Sequence, residues 1–225
     1  MKNWKKVLSA ALVLCLLGSL AACGGGLTEK DAETYVKGHL DAAYLGSYSK
    51  DYIDLVEDMS EEDAKEMHQQ NVEDETYFLL TFLEVEYPTD EITERAEEIM
   101  DRIYAKSKYT VGTGSKTKDG DFVVEVTVSP IDLYNLLTED DFFDALDRAG
   151  FEGDETPEEM EAVDAVFGML ILDALESKLD DIEYGKDQTI MLQLKPDEEG
   201  FYTLVEAGMQ KVDEVMVDYS GSYSD

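Results

Sequence analysis

Residues 109–128 read YTVGTGSKTKDGDFVVEVTV, and this stretch decides the fold class. Apolar side chains alternate with polar ones before and after a polar segment that ends in Asp119-Gly120. Alternation with period two predicts two half-buried strands, and an acid followed by glycine is typical of the turn between them. The stretch therefore predicts an antiparallel β-hairpin with one apolar and one polar face.

Residues 189–205 repeat this pattern, because Ile190, Leu192 and Leu194 alternate with polar neighbours before a turn at residues 196–200. Most other segments carry apolar residues at spacings of three and four, which predicts amphipathic helices. Capping-type residues such as Thr28 and Thr156 mark helix starts. The predicted helices cover residues 28–44, 49–58, 60–86, 90–106, 131–149, 157–182 and 207–217.

These elements predict an α+β fold in which helices pack on one face of an antiparallel sheet made from the two hairpins. The helix at 157–182 has the widest apolar face outside residues 1–22, so we expect it to be a core helix. We expect residues 28–217 to form a single domain and residues 218–225 to form a flexible tail.

The first 26 residues have the layout of an export signal. Lys2, Lys5 and Lys6 precede an apolar run at residues 7–17, and Leu20-Ala21-Ala22-Cys23 follows it. This ending resembles the lipobox of bacterial lipoproteins. The resemblance implies that residues 1–22 are a signal peptide, and that Cys23 carries acyl chains such as palmitate. It also implies that residues 23–27 tether the protein to the outer face of the bacterial cytoplasmic membrane. The alternatives are a plain signal peptide with a coincidental Cys23, and an uncleaved anchor.

Composition limits the partners and the chemistry. Cleavage before Cys23 would leave 203 residues, and loss of the three lysines would change the formal charge from −35 to −38. Such a strongly acidic chain repels phosphate backbones, which excludes a nucleic-acid partner. No cysteine follows Cys23, so a lipidated chain has no thiol left for a disulfide, a metal or a nucleophile.

A second resemblance is carried by three short pieces of sequence. They are Tyr35–Asp41 with Tyr44 and Gly46, then Ser60–Ala64, and then Val124–Asp132. Together they look like a group of small lipoproteins of unknown function from Gram-positive bacteria. This resemblance implies a cystatin-like or nuclear-transport-factor-2-like arrangement and brings no catalytic residues. The helical segment at 131–182 is longer than such a fold requires.

The sequence contains no constellation that predicts catalysis, a metal site or a cofactor. Gly112–Thr117 lacks the spacing and the following helix of a phosphate-binding loop. His39 and His68 have no partner at zinc-ligand spacing, so we expect them to be helix-surface residues. The acidic runs lack the pattern of a calcium loop, so solvated surfaces are the favoured interpretation.

Tyr44, Tyr48 and Tyr52 are spaced by four and are the predicted binding residues, as an aromatic patch for a glycan or peptide. The favoured alternative is that they lie half-buried at a helix junction. The leading functional hypothesis is a lipid-anchored, non-enzymatic module that binds a protein, a peptide or an envelope component. The alternative is a hydrolase of envelope glycans or peptidoglycan that uses a pair of carboxylates.

Overall fold

The computed structural model describes residues 27–56, 59–198 and 200–224. Within these ranges the chain is α+β, with a four-stranded antiparallel sheet of order β1-β2-β5-β6 and a smaller mixed sheet of order β4-β3-β7. The predicted fold class is therefore confirmed. The predicted signal peptide, Cys23 and the predicted tether up to residue 26 lie outside the described residues.

The elements follow one another as helices, a hairpin, helices, a hairpin and a last helix. The helices are α1 (Glu29–Leu45), α2 (Lys50–Leu55), α3 (Glu61–Phe82), α4 (Asp90–Tyr104), α5 (Glu139–Ala149), α6 (Pro157–Lys178) and α7 (Glu206–Met216). The strands are β1 (Lys108–Lys116), β2 (Phe122–Ser129), β3 (Ile131–Asp132), β4 (Glu183–Tyr184), β5 (Gln188–Pro196), β6 (Tyr202–Leu204) and β7 (Val217–Asp218).

The described residues divide into two compact units. The first unit takes its residues from 1–71, 107–130 and 187–216, and the second from 72–106, 131–186 and 217–225. The division falls inside α3, so that this helix contributes its first half to one unit and its second half to the other.

The first unit is built around the four-stranded sheet. The hairpin of β1 and β2 joins the hairpin of β5 and β6 because β2 pairs antiparallel with β5, which places Val124 opposite Leu192 and Val126 opposite Ile190. These four side chains are buried, and α1 and α7 pack against the sheet. On the other face Glu125 and Met191 are exposed. The expected arrangement of helices on one face of a two-hairpin sheet is confirmed.

Helix α1 begins and ends where its sequence signals predict. The hydroxyl of Thr28 accepts the N–H of Asp31, whose carboxylate accepts the backbone N–H of Thr28 in return. Such a reciprocal pair satisfies N–H groups that have no partner inside the helix. Gly46 ends the helix with φ 57°, a left-handed conformation that suits glycine. Thr28 and Gly46 thus fix the two ends of α1.

The second unit contains α6, which the sequence predicts as a core helix. Thr156 and Glu159 form another reciprocal cap around Pro157 at the first helical position. Gly168 lets α4 approach closely, because a Cβ there would lie 3.0 Å from Cδ1 of Ile92. Further along, Arg95 donates to Asp173 at 2.5 Å and to Glu176 at 2.8 Å, and Arg102 also donates to Glu176.

The prediction of a helix at residues 131–149 is wrong for residues 131–138. Ile131–Asp132 forms β3, which pairs antiparallel with β4 and parallel with β7, and α5 begins only at Glu139. The carboxylate of Asp132 accepts the backbone N–H and the side-chain amide of Asn135, which stabilises a turn instead of a helix. Thr138 then caps α5 through Asp141.

Two other predicted helices are shorter than expected. Helix α3 ends at Phe82 instead of residue 86, because Glu84 adopts a left-handed conformation with φ 61°. Helix α6 ends at Lys178 and continues as one 3₁₀ turn at Leu179–Asp181. The apolar pattern continues past both ends, with Leu83 and Val85 buried after α3 and Leu179 buried after α6, so the pattern does not mark where these helices stop.

Residues 218–225, for which the sequence predicts a flexible tail, begin at the end of β7. The carboxylate of Asp218, which is 1% exposed, accepts the backbone N–H groups of Ser220, Ser222 and Tyr223. These hydrogen bonds lower the pKa of Asp218 against the opposing effect of its burial. The described part of the tail therefore closes a turn on a buried carboxylate within the second unit.

Candidate functional site

The structure places two of the three predicted binding tyrosines in the interior of the first unit. Tyr44 and Tyr52 are both 0% exposed, and Tyr48 is half-buried, with its hydroxyl donating to Glu61 at 3.2 Å. The ring of Tyr52 lies directly over Gly38, where any side chain would collide with it. A ligand could reach Tyr44 and Tyr52 only after this packing had opened.

His39 is a buried residue, contrary to the expectation of a surface histidine. Its ring stacks on Tyr35 with centroids 6.0 Å apart, and its Nδ1 lies 3.4 Å from the hydroxyl of Tyr52. Burial lowers the pKa of His39 to about 4, so the ring is neutral at pH 7. His68 is half-buried, with its Nδ1 3.0 Å from the carbonyl oxygen of Ala43. Each histidine thus serves the packing of α1.

A groove of about 490 Å³ opens in the first unit, at the end of α1 and beside the start of β1. We call it the wider groove. Two lysines, two aspartates, five hydroxyl-bearing residues and one leucine line it: Lys37, Asp41, Leu45, Ser107, Lys108, Tyr109, Thr110, Thr127, Ser129 and Asp187. Its volume falls within the range of about 300 to 1,000 Å³ that is usual for small-molecule sites.

The wider groove crosses the edge strand β1. Lys108 lies opposite Ser129 and Thr110 lies opposite Thr127, on the sheet face opposite the buried one that packs against α1 and α7. Tyr109, between them, lies on the opposite face, because successive side chains of a strand alternate. A ligand in this groove would therefore contact both faces of β1.

Asp41 is the centre of the polar network in the wider groove. Its carboxylate accepts from the ammonium of Lys37 at 2.5 Å and from the hydroxyl of Tyr109 at 2.8 Å. Burial, and then the hydrogen bond and charge of Asp41, raise the pKa of Tyr109, so its phenol keeps its proton. Across the groove, the hydroxyl of Ser129 donates to Asp187 at 2.6 Å.

Behind the groove, the ring of Tyr109 rests against Tyr44, with centroids 6.4 Å apart. The hydroxyl of Tyr44 donates in turn to Asp213 of α7. Desolvation by the surrounding protein raises the pKa of Asp213 to about 6, although the residue as a whole is exposed. Tyr44 thus supports the groove wall from inside.

A second, narrower groove of about 200 Å³ continues along α1. It is lined by Lys30, Glu33, Thr34, Lys37, Gly38, Asp41, Ser49 and Val111. The ammonium of Lys30 lies 3.0 Å from the carboxylate of Glu33. Lys37 and Asp41 belong to both grooves, so the two grooves meet at this ion pair.

The described residues offer little for a metal or for a membrane span. Within them there is no group of three or more His, Cys, Asp or Glu side chains that could hold a metal ion. No helix among residues 27–56, 59–198 and 200–224 is long and apolar enough to cross a membrane. What the wider groove does hold is a pair of carboxylates, Asp41 and Asp187, together with hydroxyl groups.

Sequence reasoning missed the grooves because their residues come from separate parts of the chain. The wider groove combines α1 with β1, the end of β2 and the residue before β5. Two signals were visible in α1: Lys37 and Asp41 are four residues apart, and both lie outside its apolar stripe. Asp187 reaches the wider groove because β2 pairs with β5, and no local sequence pattern predicts this pairing.

Comparison with known proteins gives a likeness of fold. No protein-family model matches the sequence, and no curated protein matches it. A solved structure that it resembles is YcdA from Bacillus subtilis subsp. subtilis str. 168, a protein provisionally named a lipoprotein. The sequence identity is 17% and the TM-score is 0.55, with 84% of this chain and 56% of that chain covered. The chain thus spans little more than half the length of YcdA.

Proposed function

We propose that this protein is a lipid-anchored lipoprotein on the outer face of the bacterial cytoplasmic membrane, and that it acts as a non-enzymatic binding module. The observation that carries the anchor is the export-signal layout that ends in Leu20-Ala21-Ala22-Cys23. The structural likeness to a protein provisionally named a lipoprotein supports it. Two acyl chains on Cys23 would hold the protein at the membrane, whereas one chain binds only marginally.

The anchor is tested by labelling growing cells with a clickable palmitate analogue and partitioning the extract into detergent. The wild-type protein should carry the label and enter the detergent phase, and Cys23→Ala should do neither. Cys15→Ala is the matched control, because it removes the other cysteine of the chain and leaves the lipobox intact. A labelled Cys23→Ala protein would contradict the proposed anchor.

The binding role is assigned to the wider groove. Concave polar surfaces whose side chains already hold one another in place are suited to recognition, because little order must be created when a ligand binds. Here Lys37, Asp41 and Tyr109 are joined by hydrogen bonds, and Ser129 is joined to Asp187. The ligand would bind between these two groups.

The binding role is tested by placing a photo-cross-linking amino acid at Thr110, an exposed position in the wider groove. Irradiation of intact cells should yield an adduct of defined added mass. The same amino acid at exposed Thr203 on β6 is the control and should yield none. Equal adducts at both positions, or none at Thr110, would count against a ligand in this groove.

A second candidate function is hydrolysis of envelope glycans, since Asp41 and Asp187 line the same groove. Glycosidases place one carboxyl group on each side of the bond that they cleave. If the protein is a hydrolase, the wild type should release new reducing ends from purified peptidoglycan, and both Asp41→Asn and Asp187→Asn should abolish the release. A binding module should release none.

A further inference from the structure

We infer that the wider and the narrower groove form one continuous track for an uncharged oligosaccharide, which would lie along α1 and cross β1. This inference rests on the proposed binding function and adds the class of ligand. It depends on three observations: the two lining residues that the grooves share, the balance of charge along them, and the hydroxyl groups that line them.

The lining residues that the two grooves share favour an extended ligand. The two grooves share Lys37 and Asp41, and the narrower groove extends from this pair toward Lys30, near the start of α1. A compact ligand would fill one groove and leave the other empty. A short chain of sugar rings, in contrast, would occupy both and contact the shared ion pair near its middle.

The balance of charge favours a neutral ligand. The lysines and aspartates that line the wider groove are equal in number, and so are the cationic and anionic residues that line the narrower groove. This is unusual in a chain with a formal charge of −35. An anionic ligand would find no excess of cations, and a cationic ligand no excess of carboxylates, so neither would be preferred.

The hydroxyl groups favour a sugar over a peptide. Ser107, Tyr109, Thr110, Thr127 and Ser129 line the wider groove, and Thr34 and Ser49 line the narrower one. A hydroxyl can both donate and accept hydrogen bonds, as the hydroxyls of a sugar do. Those of Tyr109, Ser129 and Thr34 already donate to Asp41, Asp187 and the carbonyl oxygen of Lys30, so they would offer a sugar their acceptor lone pairs. The buried oxygen of Ser107 has no hydrogen-bond partner among the described residues. Helix-in-groove and proline-rich peptide recognition use apolar or aromatic grooves, and Leu45 and Val111 are the aliphatic side chains among the residues that line the grooves.

Addition of a peptide strand to β1 is disfavoured at its far end. An exposed edge strand offers unpaired N–H groups to an incoming strand. Here the carboxylate of Glu33 accepts the N–H of Gly114 at 2.9 Å, and that of Glu29 accepts the N–H of Lys116 at 3.2 Å. These contacts occupy backbone groups that a peptide strand would need, and they leave the side chains at the start of β1 as the recognition surface.

The test is an NMR titration of the full-length protein, purified from membranes in detergent. The probes are N-acetylchitotetraose as the uncharged oligosaccharide, tetragalacturonate as an anionic one of equal ring number, and acetyl-tetraalanine amide as an uncharged peptide. N-acetylchitotetraose should shift the resonances of Thr34, Thr110 and Ser129 in a saturable manner. The other two probes should shift them much less.

Variants then locate the contact. Thr110→Val removes one hydroxyl and should weaken binding of N-acetylchitotetraose about fivefold, since one lost hydrogen bond to a ligand costs about 1 kcal/mol. Thr203→Val is the same change on exposed β6 and should leave the affinity unchanged. Equal unfolding midpoints of the two variants would exclude misfolding as the cause.

The outcomes separate the ligand class from the proposed function. Saturable shifts with tetragalacturonate or with the peptide, but not with N-acetylchitotetraose, would overturn the uncharged-sugar class and leave the groove as a binding site. Shifts confined to residues outside both grooves would overturn the track. No shifts with any probe would also overturn the ligand class, while the photo-adduct at Thr110 would still decide the binding role on its own.

Discussion

The two faces of α1 both carry polar residues, but those on one face are buried in the protein and those on the other line the grooves. On the buried face, His39 is 5% exposed, neutral and packed against Tyr35 and Tyr52. On the groove face, Lys37 and Asp41 form an ion pair, with the side chain of Lys37 62% exposed and that of Asp41 16% exposed. A buried polar group must have hydrogen-bond partners, and a ring such as that of His39 is buried more readily when it is neutral. An ion pair with an exposed partner contributes little to stability. Stability should therefore depend on the buried face, and recognition on the groove face.

The largest expected effect is on the buried face. Tyr52→Ala would remove a fully buried ring that lies over Gly38 and contacts Tyr35, so it should lower the free energy of unfolding by about 3 to 5 kcal/mol. Tyr48→Ala is the matched control and should cost much less, because Tyr48 is only half-buried. Urea denaturation of both variants measures the difference. Equal losses would mean that the two tyrosines are not distinguished by burial.

The second-largest expected effect is a dependence of the free energy of unfolding on pH, which His39 causes. The pKa of an unfolded histidine is about 6.5 and that of His39 is lowered to about 4, so between these values the unfolded chain binds a proton that the folded chain does not. The stability that depends on neutral His39 is therefore complete above pH 6.5 and is lost as the pH falls to 4, by about 3 kcal/mol in total.

His39→Gln should remove this loss and flatten the stability profile between pH 6.5 and 4, as followed by urea midpoints across that window. His68→Gln is the control, because it removes the other histidine and leaves His39 in place. A profile of His39→Gln that stays as steep as that of His68→Gln would contradict a neutral, buried His39.

The sequence predicted what depends on local patterns. Alternation gave both hairpins, and capping residues such as Thr28 and Thr156 gave helix starts. The burial of His39 was also readable, since it lies four residues from both Tyr35 and Ala43 in the apolar stripe. Strand β3 could not be predicted from a local pattern, because Ile131 pairs with Val217, a residue far along the chain. The wider groove depends on pairing of the same long-range kind.

Asp213 should show a smaller dependence on pH, with the opposite sign. Its pKa is raised from 3.8 to about 6, so the folded chain holds a proton that the unfolded chain releases, and stability falls as the pH rises from 3.8 to 6. Asp213→Asn should therefore raise the free energy of unfolding at pH 7 by less than about 1 kcal/mol, and with it the urea midpoint, because solvent screens an exposed residue. Glu206→Gln is the control, because Glu206 is an exposed acid on α7 that does not contribute to the pKa shift of Asp213. A lower midpoint for Asp213→Asn at pH 7 would contradict the desolvation of this carboxyl.

The smallest expected effect on stability is on the groove face. Lys37 precedes Asp41 by four residues, which is the less favourable order for a helical ion pair, and an acid near the end of α1 opposes the helix dipole. Helix stability therefore does not account for Asp41, whereas its hydrogen bond to Tyr109 in the wider groove gives it a place in recognition.

Lys37→Met keeps most of the aliphatic stem and removes the charge. It should change the free energy of unfolding by no more than about 0.5 kcal/mol, and less at high salt. Because Lys37 belongs to both grooves, the same change should weaken binding of N-acetylchitotetraose and reduce the photo-adduct at Thr110. Lys50→Met is the matched control, since Lys50 forms the same i,i+4 pair with Asp54 and neither residue lines a groove. If the two variants lose binding equally, or if Lys37→Met unfolds the protein, then the two faces of α1 do not divide stability from recognition.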